Sequence, residues 1–107
     1  MENNNFILIL TTCPPNEAEE ISKELIKKKL AACVNIIPKI NSVYFWSNTI
    51  NSEIESQLLI KTKNACLKKI EAYLLETISY NNPEIIVLPI IYGSSNYLKW
   101  INDTIET

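Results

Sequence analysis

The chain contains no arginine, no histidine and a single glycine in 107 residues. Without arginine there is no guanidinium fork to grip phosphates or base edges. With a formal charge of −2 there is also no basic face, so a nucleic-acid partner is not expected. Without histidine there is no imidazole, the nitrogen ligand that copper(II) favours. Cysteine is scarce and odd in number: Cys13, Cys33 and Cys66, with no C-x-x-C spacing. That excludes a disulfide framework and a structural zinc site, and free thiols fit a reducing compartment. No apolar run is long enough to span a bilayer; the longest, Ile85 to Tyr92, is interrupted by Pro89. The start, Met1 to Asn5, has neither a basic residue nor an export-type apolar stretch. No membrane insertion is expected, and the expected location is cytoplasmic, with an organelle left open. The lone glycine sits beside an abundance of Asn, Ile and Lys and carries no mechanistic weight.

What is present is apolar: 47% of residues are hydrophobic, enough for the core of one domain spanning residues 1–107. At this size association with further copies would help stability. Phe6 to Leu10 reads as a buried strand that Cys13-Pro14-Pro15 stops. Asn16, with Glu19 three residues on, offers a capping box for a helix bearing Ala18, Ile21 and Leu25 on one face. Acidic residues open that helix and Lys27-Lys28-Lys29 close it, the order its dipole favours; the lysines read as a solvated helix end rather than a binding patch.

A second strand is expected from Ala32 to Ile37, resuming from Ser42 to Trp46. The proline between them implies an edge position or a bulge. A turn at Ser47-Asn48-Thr49 leads to a third strand from Gln57 to Lys63, with polar Asn51 to Ser56 extending the hairpin. Asn64 is the expected cap of a second helix carrying Leu67, Ile70, Leu74 and Ile78 inward. Ile85 to Ile91 is a fourth strand whose unbroken apolarity predicts burial on both faces. Gly93-Ser94-Ser95 opens a third helix with Leu98, Ile101 and Ile105 inward. The order is an α+β, ferredoxin-like βαββαβ with a C-terminal helix, an antiparallel sheet with helices on one face. Its other face, with Val43, Phe45 and Leu59, is too apolar to stay wet, which points to self-association.

Several blocks resemble the CutA family, the divalent-cation tolerance proteins. They are Leu30-Ala31-Ala32-Cys33-Val34-Asn35-Ile36-Ile37-Pro38, the S-x-Y-x-W of Ser42, Tyr44 and Trp46, Lys61-Thr62, Pro83-Glu84-Ile85, Leu88-Pro89-Ile90 and Tyr97-Leu98-x-Trp100. Asn48 stands where the family has a glycine and tolerates the same left-handed turn. The resemblance implies a homotrimer with long hairpins pairing across subunit boundaries, and a role in tolerance to copper and other divalent cations. It implies no enzymatic activity. Plant and animal members are linked to organelles or to anchoring partners. Two departures bear on the metal. The family reads His-Pro-Tyr where this chain reads Ile78-Ser79-Tyr80, and Leu10 stands where copper-coordinating relatives carry a cysteine.

The resemblance places Tyr44, Trp46, Lys61, Tyr80 and Glu84 near a cleft between subunits. They form either a polar-rimmed interface or a small-anion or effector pocket with Lys61 as its charge. Cys13, beside two prolines and ahead of a helix, is the candidate soft-metal ligand. Cys33 and Cys66 read as small buried hydrophobes, and Glu53 and Glu55, two apart on a strand, as solvated hairpin charge. Acylphosphatase-type chemistry on this topology needs an arginine cradle and fails here. The expectation is a non-enzymatic, CutA-like homotrimer binding copper or another divalent cation weakly or transiently. The alternative is a trimeric signalling or scaffold module, of the PII type by fold analogy, that senses a small effector or anchors a partner protein.

Overall fold

The computed structural model describes residues 5–105; the polar start, Met1 to Asn4, lies outside them. Its strands are β1 (Phe6–Cys13), β2 (Cys33–Trp46), β3 (Thr49–Lys63) and β4 (Ile86–Pro89). Its helices are α1 (Ala18–Lys27), α2 (Leu67–Thr77) and α3 (Ser95–Thr104). The sheet runs β2-β3-β1-β4 with every neighbouring pair antiparallel, the expected α+β topology.

Strand alternation divides the sheet into two faces. Ile7 and Ile9 of β1 and Leu58 and Ile60 of β3 point one way, into a core closed by Ile21 and Leu25 of α1 and Ile70 and Leu74 of α2. Thr62 lies on that face too, and its hydroxyl is satisfied by donating to the Leu30 carbonyl at 2.6 Å. Thr11 Oγ1 is buried without a protein partner. The opposite set on β3 includes Lys61 and Lys63, which donate to Tyr97 and Asn102 of α3, at 3.3 and 2.6 Å, and tie that helix to the strand.

The hairpin is more continuous than its sequence suggests. β2 passes through Pro38 without breaking: the register slips between Ile37 and Ile40, with Lys39 at a φ of 59°. The proline is tolerated because it sits at a bulge on an edge strand, where its missing N–H costs no ladder bond. β3 begins at Thr49, and the polar stretch extends the hairpin as expected: Asn51 to Glu55 pair with β2, while Ser56 sits at the slip and pairs with Cys13 of β1. Ser47 and Asn48 make the turn, both left-handed at φ of 53° and 62°, the geometry of a type I′ connection.

Three further expectations need correction. Neither Asn16 nor Asn64 caps a helix: 3₁₀ turns at Pro15–Glu17 and Asn64–Cys66 precede α1 and α2, with no side-chain cap bond at either helix. Pro14 and Pro15 pre-set the first of these turns, where Glu17 N–H donates to the Pro14 carbonyl at 2.9 Å. β4 is only Ile86–Pro89 and is exposed, because it is the second edge strand and pairs with β1 alone. Its apolarity therefore marks a surface that the single chain leaves open. Cys33, at the start of β2, is half-buried rather than enclosed.

Gly93 holds α3 close to the body. A Cβ at this position would lie 2.8 Å from Leu98 Cδ2 and 2.9 Å from its Cγ. Leu98 is partly buried and packs against the core, so it would have to shift to make room. Gly93→Ala is expected to destabilise the fold by about 1–3 kcal/mol in urea titration, the usual cost of overpacking. Adding Leu98→Ala should remove the penalty that the new methyl imposes, and an unchanged midpoint for Gly93→Ala alone would show that Leu98 moves freely.

Candidate functional site

β1 stops pairing with β3 at Cys13 and Ser56, but the β2–β3 hairpin continues to its turn at Ser47. Beyond that point the ribbon has two strands and no third neighbour. On one of its faces register aligns Ser42 with Glu53, Tyr44 with Asn51 and Trp46 with Thr49. The loop from α2 to β4 comes up against this face and brings Tyr80, Asn81, Asn82 and Glu84. Glu17 anchors the loop, its Oε1 accepting from the Ser79 N–H at 3.3 Å. Between ribbon and loop lies a cleft of about 670 Å³.

The expected site residues divide. Tyr44, Trp46, Tyr80 and Glu84 line this cleft. Lys61 does not: its ammonium donates to the Tyr97 hydroxyl and sits 5.5 Å from that ring's centroid, beside α3. In its place the cleft holds two carboxylates read from the sequence as solvated charge, Glu53 and Glu55. Glu53 is exposed as expected, but Glu55 is only 8% exposed. The sequence signal for Glu55 is its i,i+2 spacing from Glu53, which puts both on one face; what it does not reveal is the loop that covers one of them.

Electrostatics follow from three carboxylates in one cleft with no cation among its lining residues. Burial pushes the Glu84 carboxyl above the usual range, and the Glu55 charge adds to the effect. The Tyr80 phenol is raised strongly, by burial first and then by its contact with the Glu55 carboxylate. Desolvation followed by the Glu53 charge raises Tyr44. Burial is the main cause of each shift, and the neighbouring carboxylates add to it.

Cys13 sits apart from the lining, at the end of β1, with no exposed surface. Burial, then the charges of Glu17 and Glu55, pushes its thiol up to about 11. A protonated, enclosed thiol is a poor metal ligand or nucleophile at neutral pH. Among the described residues no three His, Cys, Asp or Glu side chains are grouped so as to hold a metal ion. No helix among them is long and apolar enough to cross a membrane.

The comparisons with known proteins agree with this architecture. The family profile described as CutA1 divalent ion tolerance protein matches residues 7–104. The chain is similar to a CutA homolog of Danio rerio, 38% identical over 92% of this chain and 66% of that protein. It is also similar to a chloroplastic CutA of Arabidopsis thaliana, 38% identical over 92% of this chain and 54% of that one. It therefore spans about half to two-thirds of the length of these relatives. The crystal structure of CutA1 from the psychrotrophic bacterium Shewanella sp. SIB1 superposes with a TM-score of 0.94 at 37% identity, covering 98% of this chain and 99% of that one.

The thiol environments give a direct check. Cys13 and Cys66 are buried while Cys33 is half-buried, so a thiol reagent at pH 8 should label Cys33 first. Cys13 should react only as fast as the chain opens; peptide mapping after timed labelling reads the order. Because the Cys13 value lies above its unfolded value of 9.0, its contribution to stability is complete below about pH 9 and is lost as pH rises towards 11. Cys13→Ala should flatten that alkaline loss in pH-dependent denaturation.

Proposed function

The chain belongs to the CutA1 divalent ion tolerance family, and from that premise we propose that it is a non-enzymatic homotrimer that meets divalent cations, copper among them, weakly and reversibly. The observation that carries the reading is the cleft with Glu53, Glu55 and Glu84 and no basic residue in its lining. Carboxylate oxygens spread over a cleft attract a hydrated divalent ion by charge without enclosing it. Binding of this kind is weak and quickly reversed, as tolerance rather than storage requires. Cys13 takes no part. The proposed location is the cytoplasm, in keeping with its three unpaired thiols.

Trimerisation is proposed on the surfaces that the single chain leaves open. β2 and β4 each have an unpaired edge. Phe45, Ile50 and Ile91 are 68, 74 and 84% exposed. A solitary chain with two open edges and such apolar patches invites uncontrolled association, and a closed ring satisfies both. Sedimentation equilibrium should give three times the chain mass, and Phe45→Glu should shift the distribution to smaller species.

A second reading is a small-effector or scaffold module, favoured by the size of the cleft and the absence of a convergent ligand set among the described residues. Calorimetric titration with copper(II) against a competing chelator separates the two. In the cation reading Glu55→Gln and Glu84→Gln each weaken binding severalfold, whereas Cys13→Ser leaves it unchanged. Loss of binding in Cys13→Ser would move the site to the thiol. Affinity also depends on pH with a fixed sign. Cation binding needs ionised Glu84, whose value is raised, so affinity is full above that raised value and declines as pH falls through it.

A further inference from the structure

The cleft's walls are aromatic as well as acidic. Two tyrosines outside the cleft receive a lysine: the Lys28 ammonium lies 4.6 Å from the Tyr73 centroid, and that of Lys61 5.5 Å from Tyr97. Among the described residues no lysine sits over a ring of the cleft. Tyr44 and Trp46 are 38 and 53% exposed, beside Glu53 and Glu55. Electron-rich ring faces next to carboxylates bind a cation that also has apolar surface to bury.

Three features bear on which cation that is. The volume, about 670 Å³, is that of a site for a small organic molecule and far exceeds a metal ion with its ligands. No set of three ligating side chains converges among the described residues. Glu55, nine-tenths buried and lining the cleft, has no cation within ion-pair distance among the described residues; its contact is the Tyr80 phenol. A buried carboxylate without a counter-charge is costly unless a ligand supplies one.

We infer that the cleft accepts a small organic ammonium ion, a protonated or quaternary amine, with its charge among Glu53, Glu55 and Glu84 and its alkyl groups against Tyr44 and Trp46. This rests on the reading of the cleft as a cation site and specifies a ligand class that a metal cannot imitate. The carboxylates supply charge to any cation, whereas the rings discriminate for one with a carbon skin. Ligand and metal should therefore compete for the carboxylates but differ in their dependence on the aromatics.

The experiment is a titration of the whole chain with choline, and in parallel with 3,3-dimethylbutan-1-ol, the uncharged carbon analogue of the same shape. A Trp100→Phe background leaves Trp46 as the one indole, since the chain has two tryptophans and Trp100 lies on α3. The expected result is a saturable change in Trp46 fluorescence with choline, and at least roughly tenfold weaker binding of the alcohol. Trp46→Leu, checked for an unchanged assembly state, should weaken choline binding about fivefold by calorimetry while leaving copper(II) affinity within a factor of about two. Glu55→Gln should weaken both. Equal response to choline and the alcohol, or no response to choline at millimolar concentration, overturns the inference. If copper binds and choline does not, the inference alone fails. If choline binds and copper does not, it is the divalent-cation reading that falls.

Discussion

Everything distinctive about this chain follows from one mismatch of strand length. β1 ends its pairing with β3 at Cys13 and Ser56, because Pro14 and Pro15 follow at once and cannot extend the ladder. β2 and β3 carry on to the turn at Ser47 and Asn48. The result is a two-stranded ribbon projecting from a four-stranded sheet, within a body whose long axis is 45 Å against 25 and 22 Å for the others. A lone ribbon is marginal in water. This one survives because its root is continuous with a central strand, β3, whose Leu58 and Ile60 are wholly buried. The overhang creates the cleft, exposes the aromatics and leaves apolar surface open.

The charge distribution fits that geometry. Lysines stay off the cleft: Lys61 and Lys63 engage α3, and Lys27 closes α1. The ion pairs that do form among the described residues, Lys23 with Glu19 and Lys99 with Asp103, are exposed i,i+4 pairs that solvent screens. Electrostatics therefore contribute little to holding the fold, which rests on the aliphatic core. Charge is instead concentrated where it can act on something outside the chain. Glu55 shows the division most clearly: it is buried like a core residue and yet serves no ion pair among the described residues.

Much of the fold was legible because periodicity and burial coincide in its centre. Ile21 and Leu25, Ile70 and Leu74, and Leu58 and Ile60 announce their faces by spacing alone, and all are buried. Legibility failed at the margins, for two reasons. Apolar runs report burial without saying by what, so β4 reads as an inner strand although it is an exposed edge of the single chain. Local capping signals compete with turn geometry: Asn16 has the right neighbours for a capping box, but the two prolines before it impose a 3₁₀ turn first. Motif resemblance pointed to a cleft between subunits; within the single chain Tyr44, Trp46, Tyr80 and Glu84 lie together, and Lys61 lies beside α3. Glu55 was out of reach because its burial comes from a loop beginning more than twenty residues later in the chain.

Ile78 explains why the missing imidazole has no simple replacement. The residue closes α2, its N–H donating to the Leu74 carbonyl at 2.9 Å, and its side chain is 3% exposed within the core cluster. It faces inward, whereas Tyr80, two residues on, lines the cleft. An imidazole at 78 in this backbone would need a buried hydrogen-bond partner within a cluster that is chiefly aliphatic. The isoleucine thus exchanges a polar group at the helix end for packing at the base of the loop. Cys13 does not compensate, since it is sealed beneath the same region with its proton retained. What the chain keeps is a set of oxygen and aromatic surfaces, donors that would hold a metal preferring nitrogen or sulfur only weakly. The chemistry of the donors, more than the family motif, therefore limits what the cleft could hold.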